Sequence, residues 1–448
     1  MPKQTQRFTC QECGAAHTKW AGRCSSCGAW NSLVEEVQVS SDASLAKSKG
    51  SKLKATQAGT VPAAERSKRY TTTLGDVDTV LGGGFVKGSV NLIAGQPGIG
   101  KSTLLMQLAA KLASSKSTLY VSGEESLEQV SMRAERTAGA SSKKVLLASS
   151  TSSDDIAQTI LSGEYEIVVV DSIQTVSCQA VSSAPGSVSQ ITNSTYLLTQ
   201  AAKQSGTTLI IVGHVTKEGS IAGPKLLEHL VDVVLQLEGD RYGGFKVLRS
   251  VKNRFGATSE VGIFDMTEKG LEPVTNPSAV LLAERQVADG SVVMAAMEGT
   301  RPILVEVQAL VNRTSFGYPK RTASGFDINR LNLLAAVLSR RTKLDLSELD
   351  VYINIVGGIK ITEPAADLAV CMAIASAAKG MTLKDDAVVF GEVGLSGEVR
   401  HVSHIPQRLK EAKKLGFKRA VGPADKTDSA ALNSVKTLKD ALNNYLSK

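Results

Sequence analysis

The sequence predicts an α/β protein whose core is a parallel sheet carrying a phosphate-binding loop, with a small cysteine module before it and an α+β region after it. Three observations predict this. The stretch 95–102 reads G-x-x-x-x-G-K-S, follows an apolar strand and opens a helix. Short apolar runs alternate with amphipathic helical stretches from about Tyr70 to 270. Four of the six cysteines crowd into the first 27 positions as two C-x-x-C pairs.

A chain of 448 residues with 42% apolar content exceeds one hydrophobic core, so two large domains with appendages are expected. The opening MPKQTQRFTC lacks the apolar run of a signal peptide, and no stretch approaches a membrane span, so a cytoplasmic protein with no membrane partner is expected. The net charge is +8, and residues 1–70 hold eleven Lys or Arg against five Asp or Glu, which places most of the excess at the N-terminal end. Such a segment attracts polyanions, the plainer alternative being a solubilising tail. Aromatics make up only 4% of the chain, which argues against base stacking as the main mode of nucleic-acid binding.

Taken in order, residues 1–35 form the cysteine module. Cys10, Cys13, Cys24 and Cys27 are two knuckles ten residues apart, and four thiolates suit tetrahedral Zn2+, with a redox dithiol pair as the alternative. A closed four-sulfur site is structural, holding a basic module for contact with DNA or another protein. His17 is expected at the surface, and Cys178 and Cys371 are expected to be ordinary thiols. Residues 36–65, rich in Ser, Ala and Lys without apolar period, read as a flexible linker.

Residues 66–272 carry the nucleotide site. Buried runs such as VNLIAG, TLYVS, IVVVD and TLIIVGH suit a parallel sheet covered on both faces. In the loop Gly95, Gln96, Pro97, Gly98, Ile99, Gly100, Lys101, Ser102, the glycines let the backbone wrap phosphates and Lys101 reaches the outer ones of ATP. Ser102 is expected to ligate Mg2+, with Thr103 beside the nucleotide. Asp171 ends a buried strand and is the second Mg2+ candidate. Glu124 is favoured over Glu125 as the carboxylate that orients the attacking water, the plainer reading being a helix-start carboxylate.

The order of these landmarks, a glutamate on the strand after the loop helix and an aspartate on a later strand, resembles the RecA family of recombination ATPases. The pentapeptide Lys252-Asn-Arg-Phe-Gly256 is the most specific marker of the resemblance, which covers essentially the whole chain. It implies a RecA-like core and a homo-hexameric ring with nucleotides between subunits, where Lys252 and Arg254, taken as two apart on one strand, reach the neighbour's γ-phosphate. It implies a sensor at 213–217 including His214, and two DNA-binding loops at 178–190 and 216–226, the second offering Lys217 and Lys225. Single-stranded and branched DNA, with recombinase or helicase proteins, are the implied partners, and branch migration or translocation the implied work.

Residues 278–448 are similar to the proteolytic domain of Lon, through GGIKITEPAAD at 357–367 and GEVGLSGEVR at 391–400. The serine nucleophile's position is Ala365 and the lysine's falls at Pro406, so proteolysis is not expected. Arg321, Arg330, Arg340, Arg341 and Lys343 are candidate DNA contacts, or simply a solvated face. The reading is a DNA-dependent ATPase of recombinational repair; a nucleotide-controlled protein scaffold and a Lon-like peptidase are its rivals.

Overall fold

The computed structural model describes residues 7–10, 15–30, 32–36, 68–214, 226–239, 244–315, 317–424 and 432–447. Cys13, the expected linker from 37 on, and Lys217 and Lys225 lie outside the described residues. No helix among the described residues is long and apolar enough to cross a membrane.

The N-terminal module is a three-stranded antiparallel sheet of β1 (Arg7–Cys10), β2 (Ala16–His17) and β3 (Leu33–Glu36), with β1 central. Its core consists of Cys10, Cys24 and Leu33, with Phe8 and Ala15 packed against them. So small a core cannot hold a fold by apolar burial alone, which is why the sulfurs matter to it.

A short antiparallel pair, β4 (Arg69–Tyr70) and β5 (Phe85–Val86), leads into a nine-stranded sheet. Its strands are β6 (Val90–Gly95), β7 (Thr118–Ser122), β8 (Leu146–Ser149), β9 (Ile167–Asp171), β10 (Thr208–His214), β11 (Val233–Gly239), β12 (Lys246–Asn253), β13 (Val261–Thr267) and β14 (Gly270–Pro273). The order is β14-β13-β12-β11-β6-β10-β9-β7-β8. Strands β11 to β8 in that order are parallel. Their side chains alternate between two cores: Ile167, Val169, Ile210 and Val212 join the helix Lys101–Leu112, while Val168, Val170, Leu209 and Ile211 join residues of the helices Ser153–Leu161 and Val188–Ser205. That two-sided burial is why the strands read as unbroken apolar runs.

The sheet is not parallel throughout. β12, β13 and β14 extend it antiparallel beyond β11. The reversals need only short turns where a parallel return needs a crossover, and these strands mix exposed with buried positions, so they lack the continuous apolar signature.

The C-terminal region is α+β. Its strands are β15 (Ser291–Glu298), β16 (Arg301–Arg313), β17 (Arg321–Ser324), β18 (Leu349–Ile355), β19 (Thr382–Leu383), β20 (Ala387–Val389), β21 (Glu392–Val393), β22 (Val399–Arg400), β23 (Arg419–Gly422), β24 (Leu432–Ser434) and β25 (Leu446–Ser447). Seven form a mixed sheet in the order β17-β18-β16-β15-β20-β23-β24, and β19-β25 and β21-β22 are small pairs. The helix Asp367–Lys379 is buried from Asp367 to Ser376, matching its nearly uninterrupted apolar sequence.

The seam between the two large sheets is polar and close. Arg249 of β12 pairs with Glu238 at 3.0 Å and with the buried Glu298 of β15, whose carboxyl that burial pushes up. Arg301 reaches Asp76 at 3.2 Å and the carbonyl of Val274 at 2.9 Å. Gly299 has φ +60, and a Cβ there would stand 1.8 Å from the Ser259 carbonyl oxygen, so only glycine fits the crossing.

Two of the five cations expected to meet DNA are used internally. Arg330 embraces the buried Asp367 through Nε at 2.9 Å and a terminal nitrogen. Arg321 donates to the carbonyls of Leu346, at 2.8 Å, and Leu349. Arg340, Arg341 and Lys343 remain exposed, with Arg341 Nε also donating to the Leu395 carbonyl at 3.1 Å.

Arg408 is fully buried, 0% exposed, and donates to Glu363, to the Ser403 carbonyl at 3.1 Å and to the Ala295 carbonyl. Removing one member of a buried pair leaves the other uncompensated, so Arg408→Ala is expected to destabilise this region by about 3–5 kcal/mol in urea unfolding. The double replacement Glu363→Gln with Arg408→Met should recover much of that loss.

Candidate functional site

The phosphate loop begins where β6 ends. Gly95 is the strand's last residue, and a Cβ on it would stand 2.7 Å from the Leu237 carbonyl oxygen, so the neighbouring strand enforces glycine. Gly98 and Gly100 have φ of +78 and +113, the left-handed backbone that turns the loop back into the helix Lys101–Leu112. Ile99 plugs the loop into the core below it. The first N–H groups of any helix are unpaired within it, and a helix that starts directly after such a loop offers them to an anion.

Lys101 is folded into the loop. Its Nζ donates to the carbonyl oxygens of Gly95 at 2.9 Å and Gln96 at 3.0 Å. Burial pulls its ammonium down to about 8, against the opposing pull of Asp171 and Glu124. Both carboxylates therefore act on this lysine. Asp171 is buried at the end of β9 and accepts from the hydroxyl of fully buried Tyr120. Ser122 of β7 and Asp171 of β9 are register partners, so the turn after β7 brings Glu124 beside Asp171. The Ser172 hydroxyl donates to Glu124, and a Cβ on Gly123 would stand 2.4 Å from Thr175 Oγ1.

Glu125 is committed elsewhere. It pairs with Arg133, and its N–H donates to Ser122 Oγ at 3.0 Å. Ser102 and Thr103 occupy the first turn of the loop helix, both half-buried. Ser102 and Asp171 offer a hydroxyl and a carboxylate, the hard oxygen donors that suit Mg2+. Tyr120, Ser172 and Gly123 were not singled out from sequence; Tyr120 lies inside the apolar run TLYVS, where a tyrosine reads as core.

His214 closes β10 and pairs in register with Gly95, which sets its backbone beside the loop. Loop 178–190 is ordered around one residue. The buried Gln190 accepts from the Cys178 N–H at 2.8 Å and donates to the carbonyls of Val181 and Ser183 at 2.8 and 2.9 Å. The glutamine thus fixes the base of the loop. The second loop, from 216 to 225, lies outside the described residues.

Lys252 and Arg254 do not share a strand, since β12 ends at Asn253. Lys252 Nζ donates to the carbonyls of Glu228 and Val231, the latter at 2.9 Å, and Arg254 pairs with Asp232 at 3.2 Å. Arg254 is the more outward of the two, its side chain 55% exposed.

In the cysteine module, the sulfurs of Cys10, Cys24 and Cys27 lie within 4.8 Å of one another. The N–H groups of Cys27 and Ser26 and the side chains of His17 and Cys10 hold the Cys24 thiol down to about 5, against the opposing effect of desolvation. Soft sulfurs converging this closely fit Zn2+. His17 is not simply a surface residue: its Nε2 lies 3.4 Å from Cys24 Sγ. Cys178 and Cys371 are buried singly, and burial pushes the Cys371 thiol well up.

Three family models match the chain: "AAA domain" over residues 61–220, "Rubredoxin metal binding domain" over 8–35 and "Subunit ChlI of Mg-chelatase" over 332–426. Among characterised proteins, the DNA repair protein RadA of Bacillus subtilis is 50% identical over 96% of this chain and 94% of its own length. The RadA of Pseudomonas aeruginosa is 49% identical over 94% of each chain, and that of Escherichia coli 45% identical over 99% of each. A solved RadB recombinase covers 46% of this chain and 99% of its own at 23% identity, with a TM-score of 0.38, too slight a likeness to carry weight.

The position of Lys101 predicts a pH dependence. Its value in the free site, about 8, lies below the usual 10.5, so between the two the free site has released a proton that bound phosphates would restore. ATP affinity, measured with a fluorescent analogue, should be level below about pH 8 and fall by up to about tenfold per pH unit above it. In Lys101→Arg, whose guanidinium stays charged, whatever affinity remains should be level across the same range.

Proposed function

The chain belongs to the RadA family of DNA repair proteins, and from that membership we propose that it is a ring-forming ATPase that moves along single-stranded DNA and drives branch migration of recombination intermediates. The observation that carries the ATPase reading is the convergence of Lys101, Asp171 and Glu124 at the carboxyl edge of the parallel strands. A phosphate cradle alone binds; a cradle with a carboxylate placed for water hydrolyses.

In this reading, the loop N–H groups and Lys101 grip the triphosphate, with Lys101 exchanging the Gly95 and Gln96 carbonyls for phosphate oxygens. Ser102 and Asp171 would hold Mg2+, which would supply charge neutralisation to the phosphates. Tyr120 fixes the Asp171 carboxylate. Glu124, steadied by Ser172, orients the attacking water, while the Arg133 pair withholds Glu125 from that task. A neighbouring copy of the chain, in a ring of six as the family resemblance implies, would complete each site with Arg254 and Lys252 once they release their own-chain partners.

The second half lacks acyl-transfer chemistry in this reading. Ala365 has no attacking atom, and Pro406 offers no base. Glu363 and Arg408, each two residues in sequence from one of these positions, form an ion pair that is engaged in holding the fold. The region then serves as an assembly platform, with Arg340, Arg341 and Lys343 as its outward cations. Recombinase or helicase proteins are the expected partners, and the cytoplasm the expected location.

Steady-state hydrolysis should rise severalfold with single-stranded DNA and fall at least about a hundredfold in Glu124→Gln with nucleotide binding retained. Turnover indifferent to DNA would favour a nucleotide-controlled scaffold instead. Arg254→Ala should impair hydrolysis alone and regain part of it when mixed with Lys101→Ala protein. Absence of any regain would remove the shared interface.

A further inference from the structure

The chain has two tryptophans, Trp20 and Trp30, and both belong to the cysteine module. Both are exposed, 60% and 72% respectively, although they are the largest apolar side chains in a module with a three-residue buried core. A module so short of apolar burial would be expected to fold such rings inward, and it leaves both in water.

Their surroundings are built. Arg23 and Trp30 are bridge partners, and the guanidinium lies 5.7 Å from the centre of the indole ring. Arg23 is held in that place by its Nε donating to the Gly28 carbonyl at 2.9 Å. Gly28 has φ +78, and a Cβ there would stand 3.2 Å from an Arg23 terminal nitrogen, so glycine makes room for the cation. Trp20 reaches back over Gly22, the residue before Arg23, its ring edge 4.0 Å from where a Cβ on Gly22 would stand. Lys19 is exposed beside it. A cation fixed against one indole, and a ring this exposed, leave aromatic surface for a second flat partner.

We infer that Trp20 and Trp30, with Arg23 and Lys19, form a stacking platform on the cysteine module for the unpaired bases of single-stranded nucleic acid. Charge decides between this occupant and a protein surface: Lys19 and Arg23 stand beside the rings, and the segment that follows the module, 36–70, adds seven Lys or Arg against three Asp or Glu, which together favour a polyanion. Stacked bases with backbone phosphates offer both the flat faces and the charge, and stacking needs no sequence readout. The scarcity of aromatics across the chain does not bear on the site, because both tryptophans of the chain belong to this one module. The inference rests on the reading of the chain as a DNA-binding ATPase and adds a second point of contact remote in sequence from loop 178–190.

Because no other tryptophan exists, intrinsic tryptophan emission of the full-length, zinc-loaded protein reports on this module alone. Titration with an oligo(dT) should quench that emission, whereas inorganic polyphosphate, a polyanion without bases, should not. Trp30→Ala and Trp20→Ala, checked for unchanged zinc content, should each weaken oligo(dT) binding by about fivefold or more, measured by anisotropy of a labelled strand. Trp30→Phe, which keeps a ring, should retain most of the affinity. Binding of oligo(dT) with unchanged emission and unchanged affinity in both alanine variants would overturn the platform and leave the DNA reading standing. Equal quenching by polyphosphate would overturn it in favour of charge alone. Emission that responds to an added recombinase or helicase protein and not to oligo(dT) would overturn it in favour of a protein-docking surface. Failure of the wild-type chain to bind oligo(dT) at all, with or without ATP, would remove both the platform and the DNA reading.

Discussion

A turn of backbone from 95 to 102, anchored at the end of a central buried strand, is the constraint on which the rest of the nucleotide site depends. Parallel strands end at the same edge, and their register fixes what meets there: Leu237 and His214 flank Gly95 on either side, while Asp171 sits opposite Ser122. The side chains that converge come from segments far apart in sequence, and the sheet alone makes them neighbours. The lysine shows the electrostatic consequence. Burial opposes its charge, two carboxylates and two carbonyls support it, and a site poised in that way gains from an incoming polyanion.

The antiparallel strands β12 to β14 tie this edge to the rest of the molecule. Met266 of β13 and Leu271 of β14 lie against the place where a Cβ on Gly100 would stand, and Gln107 of the loop helix accepts from the Leu271 N–H at 3.0 Å. Arg249 of β12 carries the connection across the seam to Glu298. A cavity of about 450 Å3 opens at the same seam, with Gln96 and Ile99 on one side and Phe326 and Lys360 on the other. Loop and C-terminal region thus share walls. In the C-terminal region itself, charge is spent inward: Arg330 with Asp367 and Arg408 with Glu363 hold the ground around the helix Asp367–Lys379.

The parts legible in the sequence were those whose signal is local. The glycines and lysine of 95–102, the two cysteine pairs and the two-sided apolar strands each carry a pattern that a short window reveals. The antiparallel extension was hidden because β12 and β13 start as buried runs and end in half-buried and exposed positions, so neither shows an apolar run along its whole length. Arg321 and Arg330 read as solvated charge, since nothing local tells an arginine facing water from one turned to a carbonyl or to Asp367 twenty or more residues away. Tyr120 read as core for the same reason. Lys252 and Arg254 read as equal members of one strand, whereas the strand's end at Asn253 gives them different own-chain partners.

The central claim is that the turn at 95–102 grips a triphosphate through its amides and Lys101. Calorimetric titration of the zinc-loaded chain with ATP in magnesium tests it most directly. The account predicts one nucleotide per chain, with binding greatly weakened in Lys101→Ala while the fold, followed by circular dichroism, is unchanged. A well-folded wild-type chain that releases no heat and binds no nucleotide, or a Lys101→Ala variant that binds as tightly as the wild type, would contradict it.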